Sequence, residues 1–234
     1  MELSLGQLKK CVILFSLLFS FGRELLPAEE QGWLNNSLSY QINPKFILKL
    51  TQEIRCQTLT YMDPFLFNLQ GGIVYHLPRN FYIAILYKRQ HVKISKSRDP
   101  KNDTIIASDN IFSENRFTLE AGWKTKPGQK LNLDFRFKTE IRQFEPGLDD
   151  NHTRFRLRLR LKTVVTLGDL CLNPFIAMEP FADSQTCRIT RSRFYLGTGI
   201  VLGRNAVLIV NYINQATQSK RSIHILNSGV ELRF

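Results

Sequence analysis

The sequence predicts an all-β protein, closed as an antiparallel up-and-down transmembrane β-barrel of about 10–12 strands. Three observations carry that expectation. The last eleven residues, His224–Phe234, place Leu226, Val230, Leu232 and Phe234 on one face and Asn227, Glu231 and Arg233 on the other, and the sequence ends on an aromatic. From Trp33 onward, segments of alternating polarity follow one another with turn signals between them. The connectors also alternate in length, as they do when short turns lie on the periplasmic side of an outer membrane and longer loops lie outside.

The elements read in order as follows. Trp33–Ile42 is the first and most weakly patterned segment. Lys45–Arg55 sets Phe46, Leu48, Leu50 and Ile54 against Lys45, Lys49, Glu53 and Arg55. Phe65–Leu77 and Phe81–Arg89 flank the turn at Pro78–Asn80. Residues 91–114 are polar and read as the longest loop. Arg116–Thr125 and Lys130–Arg142 flank a tight turn at Pro127-Gly128. Arg154–Lys162 is the plainest strand: Phe155, Leu157, Leu159 and Leu161 oppose Arg154, Arg156, Arg158, Arg160 and Lys162. A helix would scatter those arginines around its axis, so only a strand uses the pattern. Pro174–Phe181, Arg191–Leu202 and Asn205–Asn214 complete the series before the closing strand.

The connectors near 78–80, 126–128, 167–172 and 203–204 read as short, and 57–63, 91–114, 143–152, 183–190 and 215–222 as long. If the closing strand runs toward the periplasm, Trp33–Ile42 would start on the outer side. The sequence then leaves two choices. Either ten strands form the wall with 33–42 as a periplasmic or lumenal segment, or a strand has been misread.

The N-terminus reads as a secretory signal. Lys9 and Lys10 precede the apolar run Cys11–Phe21, too short to span as a helix, with cleavage expected after Gly22 or Ala28. The barrel is then expected over 29–234 and the protein in the outer membrane of a Gram-negative-type bacterium. Of the cysteines left after removal of 1–28, Cys171 falls in a short turn and Cys187 in a long loop. They stand about 30 Å apart across the intervening strand, too far for a disulfide.

A net charge of +12 first suggests nucleic acid. The signal peptide argues against that, and so do the acids that share faces with the bases: Glu53, Glu120, Asp134, Glu140, Glu179 and Glu231. In a closed barrel these groups meet across the lumen, where charges removed from water need partners. Arg136, Arg154, Arg156, Arg158, Arg160, Glu120, Glu140, Glu179 and Glu231 are therefore the candidate lumen or ligand residues. They serve either a structural network that fills the barrel or a cavity for passive small-solute transport, anions included. An outer-membrane hydrolase is the competing class, resting on Asp149, Asp150 and His152 in one outer loop. That cluster makes no convincing catalytic constellation, so no catalytic residue is assigned and no enzyme is expected. His76, His91 and His224 are dispersed, so no metal or cofactor is expected. The expected partners are outer-membrane lipids and an assembly machinery that recognises the outward face Leu226, Val230, Leu232 and Phe234.

Several stretches occur in the order found in a known family. They are Trp33, Glu53-Ile54-Arg55, Tyr87-Lys88, Asn115-Arg116-Phe117, Arg154-Phe155-Arg156-Leu157-Arg158, Pro174-Phe175 with Glu179-Pro180-Phe181, Tyr212 and the terminal strand. With them the chain resembles the bacterial outer-membrane proteins grouped as "domain of unknown function 2490". The resemblance implies an outer-membrane β-barrel and brings no activity, ligand or catalytic residue with it.

Overall fold

The computed structural model describes residues 30–57, 64–93, 97–98, 105–106, 111–128, 130–145, 151–218 and 222–234. The expected signal peptide, its cleavage sites, Asp149 and Asp150 lie outside the described residues. Eleven long strands form one closed sheet. They are β1 (Glu30–Gln41), β2 (Phe46–Cys56), β3 (Pro64–His76), β4 (Phe81–Lys93), β5 (Ile111–Thr125), β6 (Leu131–Phe144), β7 (His152–Thr163), β8 (Leu170–Asp183), β9 (Arg188–Val201), β10 (Ala206–Thr217) and β11 (Ser222–Arg233). Two two-residue strands, Ser97–Arg98 and Ile105–Ile106, pair with each other between β4 and β5. Val165–Leu167 continues the β7–β8 hairpin to a turn in which Gly168 takes a φ of 58°, a left-handed conformation that a side chain would strain.

All eleven segments read from the sequence are strands, and most run longer than their patterns. β5 begins at Ile111 and β8 ends at Asp183, so Glu114 and Asp183 are strand residues rather than loop residues. The connectors 184–187 and 218–221 are consequently as short as those at the opposite rim. The long connectors 57–63, 94–110 and 145–151 share a rim with them, which we call the long-loop rim. The connectors 42–45, 77–80, 126–130, 164–169 and 202–205 lie at the short-turn rim, where the chain also ends.

The burial pattern is the reverse of a water-soluble sandwich. Outward Ile85 and Leu119 are 66% and 57% exposed, whereas inward Asn68 and Glu179 are 0% and 1% exposed. Apolar side chains face out of the barrel and polar ones fill it, as expected where the surrounding solvent is lipid. Aromatic cross-strand pairs form two levels on that outer face. Phe46–Tyr75 and Phe81–Trp123 lie toward the short-turn rim, with centroids 4.7 and 6.1 Å apart. Tyr87–Phe117 and Phe137–Phe155 lie toward the long-loop rim, at 5.0 and 6.4 Å. Aliphatic side chains such as Ile83, Ile85 and Leu119 fill the interval between them.

The parity question has an answer that neither sequence-based choice contained. Trp33–Ile42 belongs to the wall, no twelfth strand is needed, and β1 pairs with β11 in parallel. Ten neighbouring pairs are antiparallel and the closing pair is not, so the up-and-down description holds everywhere except at the seam. A parallel pair has slanted hydrogen bonds and is slightly less stable per residue. Here the register holds from Glu30↔His224 to Leu34↔Ser228, and again from Ser37↔Glu231 to Ser39↔Arg233. At the interruption a Cβ on Gly229 would lie 1.6 Å from the Asn35 carbonyl oxygen, so only glycine fits this approach. Side chains take over there: Val230 N–H donates to Asn36 Oδ1 at 3.2 Å, and Asn35 Nδ2 donates to Asn227 Oδ1 at 2.5 Å. Asn227 Nδ2 then donates to Asn211 Oδ1 at 2.6 Å. The last residue is tied in as well, since Phe234 N–H donates to Ser39 O and Gln41 N–H donates to Phe234 O.

Candidate functional site: the charged lumen

Strand alternation dictates what enters the lumen. On β7 it sends His152, Arg154, Arg156, Arg158, Arg160 and Lys162 inward, and on β6 it sends Asp134, Arg136, Lys138, Glu140 and Arg142 to meet them. β5 contributes Glu114, Arg116 and Glu120, and β8 contributes Glu179 and Asp183. Charge density is highest on this side of the barrel, and its acids and bases join into one continuous network.

Glu179 sits at the centre of that network. Its Oε1 accepts from Arg156 Nη2 at 3.0 Å and from Arg136 Nη2 at 3.3 Å, and its Oε2 accepts from the Tyr195 hydroxyl at 2.6 Å. Arg156 also donates to Glu140 at 2.5 Å, and Glu140 lies 3.4 Å from Arg116. Glu114 holds both Arg116 and Arg142, at 2.8 and 2.5 Å. Glu120 takes Lys138 at 2.7 Å, lies 3.9 Å from Arg136 and accepts from the Tyr82 hydroxyl at 2.9 Å. A buried carboxylate survives desolvation only when its lone pairs are taken up in this way.

The sequence-predicted lumen residues divide into three groups. Arg136, Arg156, Glu120, Glu140 and Glu179 come together in the network. Arg154 and Arg160 find acids that the candidate set omitted, Asp183 at 3.5 Å and Asp134 at 2.6 Å. Glu231 pairs only with its strand neighbour Arg233 at 3.0 Å near the rim, and Arg158 makes no hydrogen bond or ion pair among the described residues. His152 opens β7 instead of sitting in an outer loop. It is buried, with Nε2 lying 2.9 Å from Arg142 Nη1 and 3.1 Å from Asp183 Oδ2. Among the described residues, no three His, Cys, Asp or Glu side chains group as metal ligands. Cys171 and Cys187 are free and lie at opposite ends of β8.

A second set of lumen residues was not picked out from the sequence. Trp33 lies between two guanidiniums, Arg55 at 3.9 Å and Arg193 at 4.8 Å from its ring centre. Arg193 also faces Phe181 at 4.8 Å, and Arg156 faces the same ring at 4.7 Å. Ile213 and Ile225 close against Trp33, with Tyr195 and Ile223 beside them. These cation–π stacks cross the barrel in its long-loop half and join the network through Arg156. Their sequence signal was an aromatic on the polar parity of β1 and β8, which is easily passed over because the partners are up to 160 residues apart.

Closed sheet, apolar exterior, aromatic levels and charged interior define an outer-membrane-type β-barrel. The β-domain of the Bordetella autotransporter BrkA, a solved structure, has a similar fold. It superposes with a TM-score of 0.57 at 15% identity, over 83% of this chain and 86% of that one. None of the curated proteins matches. The model of the family described as "Protein of unknown function (DUF2490)" matches residues 30–224, and the chain belongs to that family. The match starts at the first residue of β1 and ends within β11, so it covers the barrel wall.

Proposed function

We propose that the protein resides in the outer membrane, short-turn rim toward the periplasm, and works as a filled, structural barrel rather than an open diffusion channel. One observation carries this reading: the long-loop half of the lumen is packed as a protein core. Glu179 is sealed from water by Arg136, Arg156 and Tyr195, and Trp33 and Phe181 are wedged between guanidiniums beside it. A water-filled channel would leave such groups hydrated. The exposed outer band is the surface that lipid covers, and its terminal portion, Leu226, Val230, Leu232 and Phe234, is what an assembly machinery would read on the outward face of β11.

Planar-bilayer recording of the purified protein tests the reading. Silent bilayers are expected, together with recovery from the outer-membrane fraction as a heat-modifiable species. A sustained ohmic current from the unmodified protein would overturn the filled-barrel reading. Recovery in a soluble fraction would overturn the location.

A further inference from the structure

The two halves of the lumen are not filled alike. Toward the short-turn rim, Lys49 on β2, Lys124 on β5, and Arg158 and Lys162 on β7 form no ion pair with any carboxylate among the described residues. Lys124 has only the face of Tyr82, 5.1 Å from its Nζ. Arg158 keeps a buried Nε with no acceptor, and so does Arg160 beside it, whose other end reaches Asp134. These cations converge across the barrel although they come from three separate strands. Lys49 feels the charge of Arg158, and Lys162 feels those of Arg160, Lys124 and Arg233. The acids in range are Asp134, Glu120, Glu231 and Glu179, the last directly across from Arg158 and already held by Arg136 and Arg156. Asp134 is already paired with Arg160, Glu120 with Lys138, and Glu231 with Arg233.

The wall from β9 to β1 carries several small residues, with Val207 and Asn211 of β10 standing against the glycines of β9. β9 presents Gly197 and Gly199, β11 presents Gly229, and β1 presents Ser37 and Ser39. Water reaches this end: the Arg160 and Arg233 side chains are 30% and 60% exposed, against 1% for Glu179. Bases without carboxylate partners thus border the lumen at the short-turn rim, and the Glu179 network and the Trp33 stacks fill it further in.

From this geometry we propose that the short-turn end of the lumen is a recess, closed at its inner end, that binds a small oxyanion of the phosphate type. Guanidinium and ammonium donors directed into a confined space suit such a ligand, because each N–H to a charged oxygen is a charge-assisted bond. Several uncompensated cations favour a divalent anion over a monovalent one. Arg158 and Lys162 on one strand and Lys49 facing them supply donors from opposite sides. The proposal goes beyond the filled-barrel reading, and its test is separate from the conductance test.

The test is calorimetric titration of the full chain, purified and folded in detergent micelles, with inorganic phosphate, glycerol phosphate and chloride in turn. Saturable binding of inorganic phosphate is expected, with chloride giving none at the same ionic strength. If glycerol phosphate binds at least as tightly, the ligand is a phosphoryl group on a larger molecule; if it does not, the ligand is the free ion. In Arg158→Gln and in Lys162→Gln phosphate affinity should fall about tenfold, while Lys88→Gln, at a basic residue of the plugged half, should leave it unchanged. Heat-modifiable mobility checks that each variant folds. If one does not, Lys49→Gln replaces it, with the same expected loss. Non-saturable heats with phosphate, or equal affinity in the folded variants, would overturn the site.

Discussion

In the long-loop half of the lumen Glu179 meets two guanidiniums and a phenol, whereas in the short-turn half Lys124 and Lys162 pair with no carboxylate among the described residues. All three sit on inward parity, but Glu179 is sealed from water whereas the short-turn end is open to it. What separates them is the supply of opposite charge. β2, β5, β6 and β8 deliver Glu53, Glu114, Glu140, Glu179 and Asp183 toward the long-loop rim. Asp134, Glu120 and Glu231 serve the other end, and each is already engaged there. The comparison shows that a basic lumen is not one environment. Where hub carboxylates and aromatic rings gather the bases the interior is dry and structural, and where the bases lack such hubs it stays wet and keeps its field.

Removing the hub should have the largest effect. Glu179→Ala leaves Arg136 and Arg156 short of an acceptor and the Tyr195 hydroxyl without one, at a cost of about 3–5 kcal/mol. A urea titration of the micelle-folded protein should show a large fall in midpoint; an unchanged midpoint would mean that the network carries no stability. Next comes the seam. Asn227→Ala breaks the Asn35–Asn227–Asn211 chain and leaves one buried and one half-buried amide without that partner, for about 2 kcal/mol, readable in the same titration. A loss no greater than that of an exposed substitution such as Ile85→Val would place the closing strength in the backbone ladder alone. The smallest effect is expected at the unpaired end. Arg158→Met should change stability by less than about 1 kcal/mol, because no partner is stranded, and it should weaken phosphate binding all the same. If Arg158→Met destabilised the barrel as much as Glu179→Ala does, the contrast between the halves would collapse.

Much of the wall was legible in the sequence. Alternation on Arg154–Lys162 and Leu131–Arg142 gave each face unambiguously, because a strand has only two. Strand ends were less legible. Glu114 and Asp183 continue their strands into polar surroundings, where the outward side chains no longer alternate with the inward ones in polarity, so they read as loop. The network itself could be anticipated as a kind but not as a set of pairs. Parity says that Arg154 and Glu140 both face inward, yet Arg154 reaches Asp183 while Glu140 is taken by Arg156 and Arg116. Which charges meet across the lumen depends on strand tilt and stagger, and local periodicity holds neither. The Trp33 stacks were hidden for the same reason. The parallel seam was hidden for another: polarity alternates identically along a strand whichever way its neighbour runs.

That seam gives the molecule a direction that an even-stranded barrel lacks. With an even count both chain ends return to one rim and a short peptide could join them. Here Glu30 opens at the long-loop rim and Phe234 closes at the short-turn rim, so a linker between them would have to run the length of the wall, which in the proposed location means crossing a hydrocarbon layer about 30 Å thick. The barrel wall therefore resists circular permutation, and in the proposed location a label at the start of β1 reports the opposite face of the membrane from a label at the end of β11.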